Sequence, residues 1–293
     1  MKVAVIAHQG KSFGGGLPEL RRILERRGVH DLRWREVPKS RKAPKQVRKA
    51  LEWGAELIFL WGGDGLAQRS IDALDGADVP VALLPAGTAN LLASSLGIPK
   101  NVEQAADVGL RGGRRRIDVG RINGETFAVM AGAGLDAQMI ADADGALKDR
   151  LGRLSYIWTG LRNLRAEPFT ATVSVEGERW YRGEANCVLV GNVGKLFAGL
   201  EVFEDSHDDD GLLEVGVLAA SGVVATARTM ARVAVKTVDD AAHARTTKAS
   251  RVEIRFDRKV LYEVDGGDRE KVRSLEISVI PRGLLVCVPA ARP

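Results

Sequence analysis

The chain has 293 residues, 45% hydrophobic and 28% charged, with a formal net charge of +5 and a pI near 9.3. That length and balance suit a soluble globular protein of two domains and exclude a disordered or fibrous chain. Cys187 and Cys287 sit in apolar strand-like runs and read as buried free thiols, which excludes a disulfide framework or a zinc site, and no stretch approaches the ~20 apolar residues of a membrane span.

The run Met1 to Ala7 is too short for a signal peptide and reads as a first strand, so a cytoplasmic protein is expected, one able to touch a membrane surface. The basic balance suits an anionic partner, whether nucleotide, nucleic acid or acidic membrane. Val3 to Ala7 leads into His8-Gln9-Gly10-Lys11-Ser12 and Gly14-Gly15-Gly16, then a helix over Leu17 to Arg27. Strand, glycine loop and helix start form the frame of a phosphate site, although the P-loop spacing is absent. His8, Lys11 and Ser12 are placed to reach phosphates; the alternative is ordinary loop and solvated residues. Asp31 to Val37 is an expected edge strand. Lys39, Arg41, Lys42, Lys45, Arg48 and Lys49 then form a basic segment running into a helix that ends near Gly54. A solvated face is the default for such a run, and attraction to anionic lipid or nucleic acid is the alternative. Without interleaved aromatics or an RNA-binding signature, nucleic acid is the weaker option.

Leu57 to Trp61 is a continuous apolar run, suited to a buried parallel strand. It ends at Gly62-Gly63-Asp64-Gly65, and Leu66 to Leu74 reads as a helix. Glycines let the backbone approach an anion, and the helix start offers N–H groups and a positive dipole end. Asp64 would be repelled by phosphate, so it is expected to hold Mg²⁺, directly or through water, or to take a proton. Val79 to Leu84 is another buried strand, ending at Pro85-Ala86-Gly87-Thr88-Ala89-Asn90 before a helix over Leu91 to Leu96. In a parallel sheet such loops gather at the carboxyl ends of the strands, where ligands bind.

From about residue 115 strands replace the βα alternation. Arg116 to Arg121 and Glu125 to Ala131 flank a hairpin turn at Asn123-Gly124. Helices are expected from Ala137 and over Leu151 to Leu164, the latter carrying Tyr156 and Trp158. Phe169 to Val175, Trp180 to Glu184, Asn186 to Val190 and Leu213 to Leu218 are strand candidates. A helix is expected over Val223 to Val238, with Arg228, Arg232 and Lys236 on one face. Arg251 to Phe256, Val260 to Val264, Ser274 to Ile280 and Leu284 to Val288 continue the strands. This texture predicts an antiparallel sandwich. Asp205, Asp208, Asp209 and Asp210 crowd before Gly211-Leu212-Leu213, which suits either a hard cation or a solvated acidic turn. Asp265 lies at a tight turn, Val264-Asp265-Gly266-Gly267, and Asp118 where the two textures meet.

These motifs, in this order, resemble the diacylglycerol kinase catalytic-domain family, in particular its soluble bacterial lipid kinases related to sphingosine kinases. Gly62-Gly63-Asp64-Gly65 resembles the family's glycine-rich nucleotide loop, and Pro85 to Asn90 its second signature. Asp118-Val119-Gly120 with Gly134-Leu135-Asp136 resembles the opening of its second domain. Asn192 with Gly194 and Gly199, then Asp210-Gly211-Leu212-Leu213, resembles its structural Mg²⁺ loop, and Val264-Asp265-Gly266 the motif of its proposed catalytic base.

The resemblance implies a three-layer α/β nucleotide-binding domain over 1–117 and an antiparallel β-sandwich lipid and metal domain over 118–282, with the site in the cleft between them. Residues 283–293 would form a C-terminal strand and tail, a candidate to return to the first domain. It implies ATP and Mg²⁺ as cofactors and phosphorylation of a lipid hydroxyl, diacylglycerol first, at an anionic membrane surface, with a homodimer as a candidate assembly and no nucleic acid. Asp265 and Asp64 would be catalytic. His8, Lys11, Gly62, Gly63, Asp64, Gly65, Gly87, Thr88 and Asn90 would bind the nucleotide, and Asp118, Asp208, Asp210 and Leu212 the metal. Four positions depart from the pattern: Leu66 for Thr, Leu91 for Asp, Gly267 for Glu, and His8-Gln9 for Asn-Pro. The lost polar groups motivate one alternative, a non-catalytic nucleotide- or lipid-binding protein; a kinase of a soluble acceptor such as NAD is the other.

Overall fold

The computed structural model describes residues 1–134, 168–193, 195–196, 200–201, 203, 206–219 and 244–290. The helices expected from Ala137, over Leu151 to Leu164 and over Val223 to Val238 lie outside these residues, as do Leu135, Asp136, Gly194, Gly199 and Asp205. The chain divides into two compact units, Met1–Val119 with Pro281–Pro293, and Gly120–Ile280.

The first unit alternates strand and helix: β1 (Val3–His8), α1 (Gly16–Arg26), β2 (Leu32–Val37), α2 (Ala43–Glu52), β3 (Leu57–Gly62), α3 (Asp64–Leu74), β4 (Val81–Pro85), α4 (Leu91–Ser95) and α5 (Val102–Arg111). The sheet runs β2-β1-β3-β4, all parallel. Chain order reverses direction across the sheet between β1 and β3, the point at which open α/β sheets place their ligand crevice, outside the carboxyl ends of the strands.

Side-chain alternation explains the layers. Val5, Phe59 and Ala82 share a register row and face α5. A Cβ on Gly109 of that helix would lie 2.3 Å from the Phe59 ring and 2.7 Å from the Ala82 methyl. Ala4 and Ile6, of opposite parity, face α2. Helices therefore cover both faces, and β3 is buried along its whole length. The sequence reading places no element between Pro99 and about residue 115. There α5 starts behind Asn101, whose Oδ1 accepts from the Gln104 N–H at 3.0 Å, an ordinary N-cap. It is tied to the end of α1 by Arg27, whose Nε and Nη2 each donate to Asp107 at 2.7 Å.

The chain passes into the second unit along β5 (Gly113–Ile122). There follow β6 (Glu125–Phe127), β7 (Met130–Ala133), β8 (Phe169–Val175), β9 (Glu178–Gly191), β10 (Lys195–Leu196), β11 (Leu200–Glu201), β12 (Leu213–Ala219), β13 (Ala244–Ala249), β14 (Arg251–Val264) and β15 (Gly267–Val288). The unit is an antiparallel, β-sandwich-like structure, in which β9 carries β12 and β13 on one side and β7 and β8 on the other. Alternate residues such as Val173, Val188, Val190, Val252, Ile254 and Leu275 form its core. Three pairs of strands expected separately are single long strands, β9, β14 and β15, interrupted in β9 and β14 by shifts of register. The strand expected over Glu125 to Ala131 is instead broken between β6 and β7. Burial raises both thiols, Cys187 to about 12 and Cys287 to about 11.

Candidate active site

The glycine motif after β3 and the loop after β4 meet backbone to backbone. Register pairs Gly62 with Pro85 at the ends of these strands, and the Ala86 N–H donates to the Gly62 carbonyl at 3.0 Å. A Cβ on Gly87 would lie 2.4 Å from the Gly63 Cα, and one on Gly63 would lie 3.1 Å from the Gly87 Cα. No side chain fits at Gly87 without parting the loops. Gly65 differs: it is exposed, and a Cβ there would meet nothing within 4 Å. Thr88 is also exposed.

Asn90 supplies the loop's internal fastening. It sits at φ 50°, ψ 49°, a left-handed conformation that asparagine tolerates. Its Oδ1 accepts from the Gly87 N–H at 2.9 Å and its Nδ2 donates to the Gly87 carbonyl at 2.7 Å. Both ends of the amide are thus turned inward. Asn90 shapes the loop, and the Gly87 N–H is spent on it.

Asp64 opens α3 and is half-buried. Its Oδ1 accepts from the Leu92 N–H at 3.3 Å, at the start of α4. Burial pushes this carboxyl above its ordinary range, against the backbone N–H groups of Leu91, Leu92, Asp64 and Asn90, which pull it down. A carboxylate raised in this way is a stronger proton acceptor than an exposed one.

The loop after β1 is built differently from the expectation. His8 closes β1 with its Nδ1 accepting from the Gly10 N–H at 3.1 Å. Lys11 presents an exposed side chain, while its carbonyl accepts from the Trp61 indole at 3.1 Å. Phe13 lies against the same indole, ring centroids 5.5 Å apart. The three glycines that follow are not a second phosphate cradle. The Gly15 N–H is taken by Glu19 Oε2 at 2.6 Å, and a Cβ on Gly14 would collide with Val102 at 2.6 Å. That segment is a packing corner closed by a carboxylate, which would repel phosphate.

Asp265 belongs to the second unit, at the hairpin between β14 and β15. Asp265 (φ 45°) and Gly266 (φ 75°) are its two turn residues, both left-handed as a tight two-residue hairpin requires. Its buried carboxylate accepts from three consecutive backbone N–H groups, Oδ2 from Ala128 and Oδ1 from Val129 and Met130, each at 2.9 Å. This explains the break between β6 and β7, because those N–H groups turn to the carboxylate instead of a neighbouring strand. Asn192 is buried on the same segment, its Nδ2 donating to the Ala128 carbonyl at 3.1 Å and its N–H to the Val129 carbonyl at 2.8 Å.

The expected metal set is not assembled. Among the described residues no three His, Cys, Asp or Glu side chains gather in a way that could hold a metal ion. Asp118, fully buried in the first unit, accepts from the Arg282 N–H at 2.6 Å. In the second unit Asp210 closes its own turn, Oδ1 accepting from the Leu212 N–H at 3.0 Å, and its Oδ2 faces the Lys248 ammonium at 3.4 Å. Asp208 lies half-buried on the same turn. The same ammonium lies nearer Glu214, at 3.1 Å, so it is shared between two carboxylates. Among the described residues no side-chain cluster for Mg²⁺ is formed, and Leu212 could contribute only its backbone carbonyl.

Comparison with known proteins bears on this arrangement directly. Residues 3–122 match the diacylglycerol kinase catalytic domain. Residues 129–288 match the YegS C-terminal NAD kinase beta sandwich-like domain. The chain belongs to the diacylglycerol kinase catalytic-domain family. A probable lipid kinase YegS-like of Pseudomonas fluorescens is 34% identical over 69% of this chain and 69% of its own length. A diacylglycerol kinase of Bacillus subtilis is 30% identical over 72% of this chain and 71% of its own. Among solved structures, a diacylglycerol kinase from Bacillus anthracis shares the fold at a TM-score of 0.78 and 22% identity, covering 98% of this chain and 96% of that one. An NAD kinase from Archaeoglobus fulgidus in complex with ATP shares it more distantly, at a TM-score of 0.56 and 12% identity, with 98% and 93% covered. No helix among the described residues is long and apolar enough to cross a membrane.

Within this diacylglycerol kinase family frame, the sequence reading missed two groups. The ligands of Asp265, Ala128 to Met130, carry no side-chain signal, because their contribution is backbone N–H. Arg269, whose Nε and Nη2 clasp Glu125 at 2.6 and 2.5 Å, was overlooked beside Gly267. A Cβ at Gly267 would lie 2.9 Å from the Arg269 Nη1, the mobile end of that side chain.

Proposed function

We propose that this protein is an ATP-dependent lipid kinase that transfers the γ-phosphoryl group to a lipid hydroxyl, with diacylglycerol giving phosphatidate as the leading case. The observation that carries this reading is the contact of Gly63 with Gly87, which joins two loops at the carboxyl ends of β3 and β4. Side chains are excluded at that contact, and beside it Gly65 leaves open backbone at the first turn of α3. Such a place suits phosphate, which needs close backbone approach and favours the positive end of a helix. Gly62, Gly63, Gly65, Gly87 and Thr88 are assigned to the nucleotide phosphates, with His8 and Lys11 reaching from the loop after β1. Asn90 acts through the loop's shape.

ATP supplies the phosphoryl group. Transfer asks the protein chiefly for positioning and for neutralising negative charge. Lys11 brings a positive charge beside the crevice. Asp265 is assigned to accept the proton of the attacking hydroxyl, its carboxylate fixed by three backbone N–H groups. Asp64, raised by burial, is the second carboxylate able to hold a proton. Magnesium is assigned no ligand in this chain. The net charge of +5 favours work at an anionic membrane surface.

The test is transfer of labelled γ-phosphate from ATP to a panel of lipids in anionic mixed micelles, beside a water-soluble panel that includes NAD. A labelled lipid is the expected product. Label only in a soluble acceptor, or none from a folded protein that binds ATP, overturns the lipid assignment.

A further inference from the structure

A cavity of about 480 Å³ opens between β2 and α2, on a face of the first unit that shares no residue with the glycine loops. Its origin is local. β2 is the edge strand and has only β1 beside it, and on this side its alternating residues are Arg33 and Arg35. They stand level with Ala4 and Ile6 of β1, and α2 approaches with Ala50. Two alanines in the floor leave volume that larger side chains would fill. The wall is cationic, with Arg33, Arg35 and Lys49 against one acid, Glu52. Among the described residues, Arg33, Arg35 and Lys49 form no ion pair.

Two features make this more than a basic surface. The Arg33 guanidinium lies over the Trp53 ring, 4.4 Å from its centroid. Stacking fixes the plane of the fork and leaves its N–H edge to face a ligand. Trp53 is itself held, since Lys2 approaches its ring at 5.5 Å and donates to its carbonyl at 3.3 Å. The volume also exceeds what one inorganic anion needs and falls in the range of small-molecule sites, roughly 300–1,000 Å³. Ala4 and Ile6 beneath the recess are themselves buried and the Trp53 ring is already covered by Arg33 and Lys2, so what the recess offers a ligand is its cationic wall, and the two arginines suit two oxygens of one anion.

We propose that this recess binds a phosphate monoester, with the phosphate held by Arg33, Arg35 and Lys49 and the organic group directed out toward solvent. The site is independent of the kinase reading. A soluble phosphate ester and the headgroup of a phosphomonoester lipid present the same chemistry to it.

The experiment uses the full chain with ATP saturating the glycine loops. One arm titrates glycerol phosphate calorimetrically. The other measures co-sedimentation with phosphatidylcholine vesicles with and without phosphatidate. Binding in the first arm assigns a soluble ester; binding in the second alone assigns the lipid headgroup. Arg33→Gln with Arg35→Gln is expected to weaken whichever binding is seen by about tenfold or more, as loss of charge-assisted hydrogen bonds implies. Lys45→Gln with Arg48→Gln removes equal charge from the same helix outside the recess and is expected to leave binding within about twofold. ATP affinity is read separately and stays unchanged in both. No binding in either arm, or equal loss in the two double variants, overturns the proposal.

Discussion

Asp64-Gly65 and Asp265-Gly266 are the same dipeptide in opposite surroundings. Asp64 begins a helix, half-buried, beside backbone left open at Gly65. Asp265 closes a hairpin, buried, with its carboxylate engaged by three backbone N–H groups. The first stands beside backbone open to a ligand; the second, assigned above as proton acceptor, also holds its own neighbourhood in place. The contrast teaches that a motif aspartate can be indispensable for two unrelated reasons, and that loss of activity alone does not tell them apart.

The largest effect is therefore expected at Asp265. Asp265→Ala leaves three buried N–H groups without their acceptor, and each such group costs about 1–3 kcal/mol, so a loss of about 3 kcal/mol or more is expected. Asp265→Asn is the sharper variant. It keeps an oxygen for Val129 and Met130, tolerates φ of 45°, and turns an NH₂ toward the Ala128 N–H, for a loss of about 1–3 kcal/mol. Urea midpoints measure both. If Asp265→Asn unfolds with the parent while phosphate transfer vanishes, the loss is one of proton acceptance, as assigned; if both fall together, the carboxylate's part in holding the segment accounts for the loss.

Gly87→Ala attacks the other region. Its Cβ would stand 2.4 Å from the Gly63 Cα, so one loop must give way. Overpacking of this kind costs about 1–3 kcal/mol of stability. Displacing a phosphate-positioning loop by an ångström slows transfer roughly a hundredfold. Transfer rate and thermal midpoint measured together give the ratio. An active, unshifted Gly87→Ala protein would mean that the close approach of the loops is incidental.

The difference in how well the two regions can be read from sequence is physical. β3 and the turn after it are visible because five apolar residues and a glycine cluster are contiguous. The Pro85 to Asn90 loop is visible for the same reason, although the inward use of both ends of the Asn90 amide is not. The Asp265 staple joins residues 135 to 137 positions apart through backbone atoms, which no side-chain pattern records. Phosphate chemistry was overread at Gly14 to Gly16, where Glu19 and Val102 fill the space. The pairing of Asp210 with Lys248, 38 residues away, is likewise invisible in the local sequence. α5 was missed although Asn101 and Gln104 carry its cap.

Asp64 offers a pH signature of its own region. Burial raises its folded-state pKa above the ordinary 3.8. Between the two values the folded protein binds more protons at this site than the unfolded chain, so this group's contribution to stability falls as pH rises through that window. Asp64→Asn cannot titrate. The stability of the variant relative to the parent is therefore expected to improve from acid toward neutral pH, with other carboxylates cancelling in the subtraction. Paired denaturation curves across that range check it. A flat difference, or one of opposite slope, would show that hydrogen bonds from the start of α4 outweigh burial, and would remove the case for Asp64 as a proton holder.

Gly65→Ala has the smallest effect on the fold and the most direct bearing on the site. The new methyl meets nothing within 4 Å, and alanine in a helical turn is favoured over glycine by about 0.5–1 kcal/mol. The free protein should melt slightly higher. A nucleotide whose phosphates approach that backbone would meet the methyl, so ATP affinity should fall while stability rises. The opposite signs matter because a damaged fold lowers both quantities together. Thermal midpoint and ATP titration on the same preparation decide it. Unchanged affinity in a stabilised Gly65→Ala protein would place the phosphates elsewhere, and the open backbone at α3 would then be only a helix end facing water.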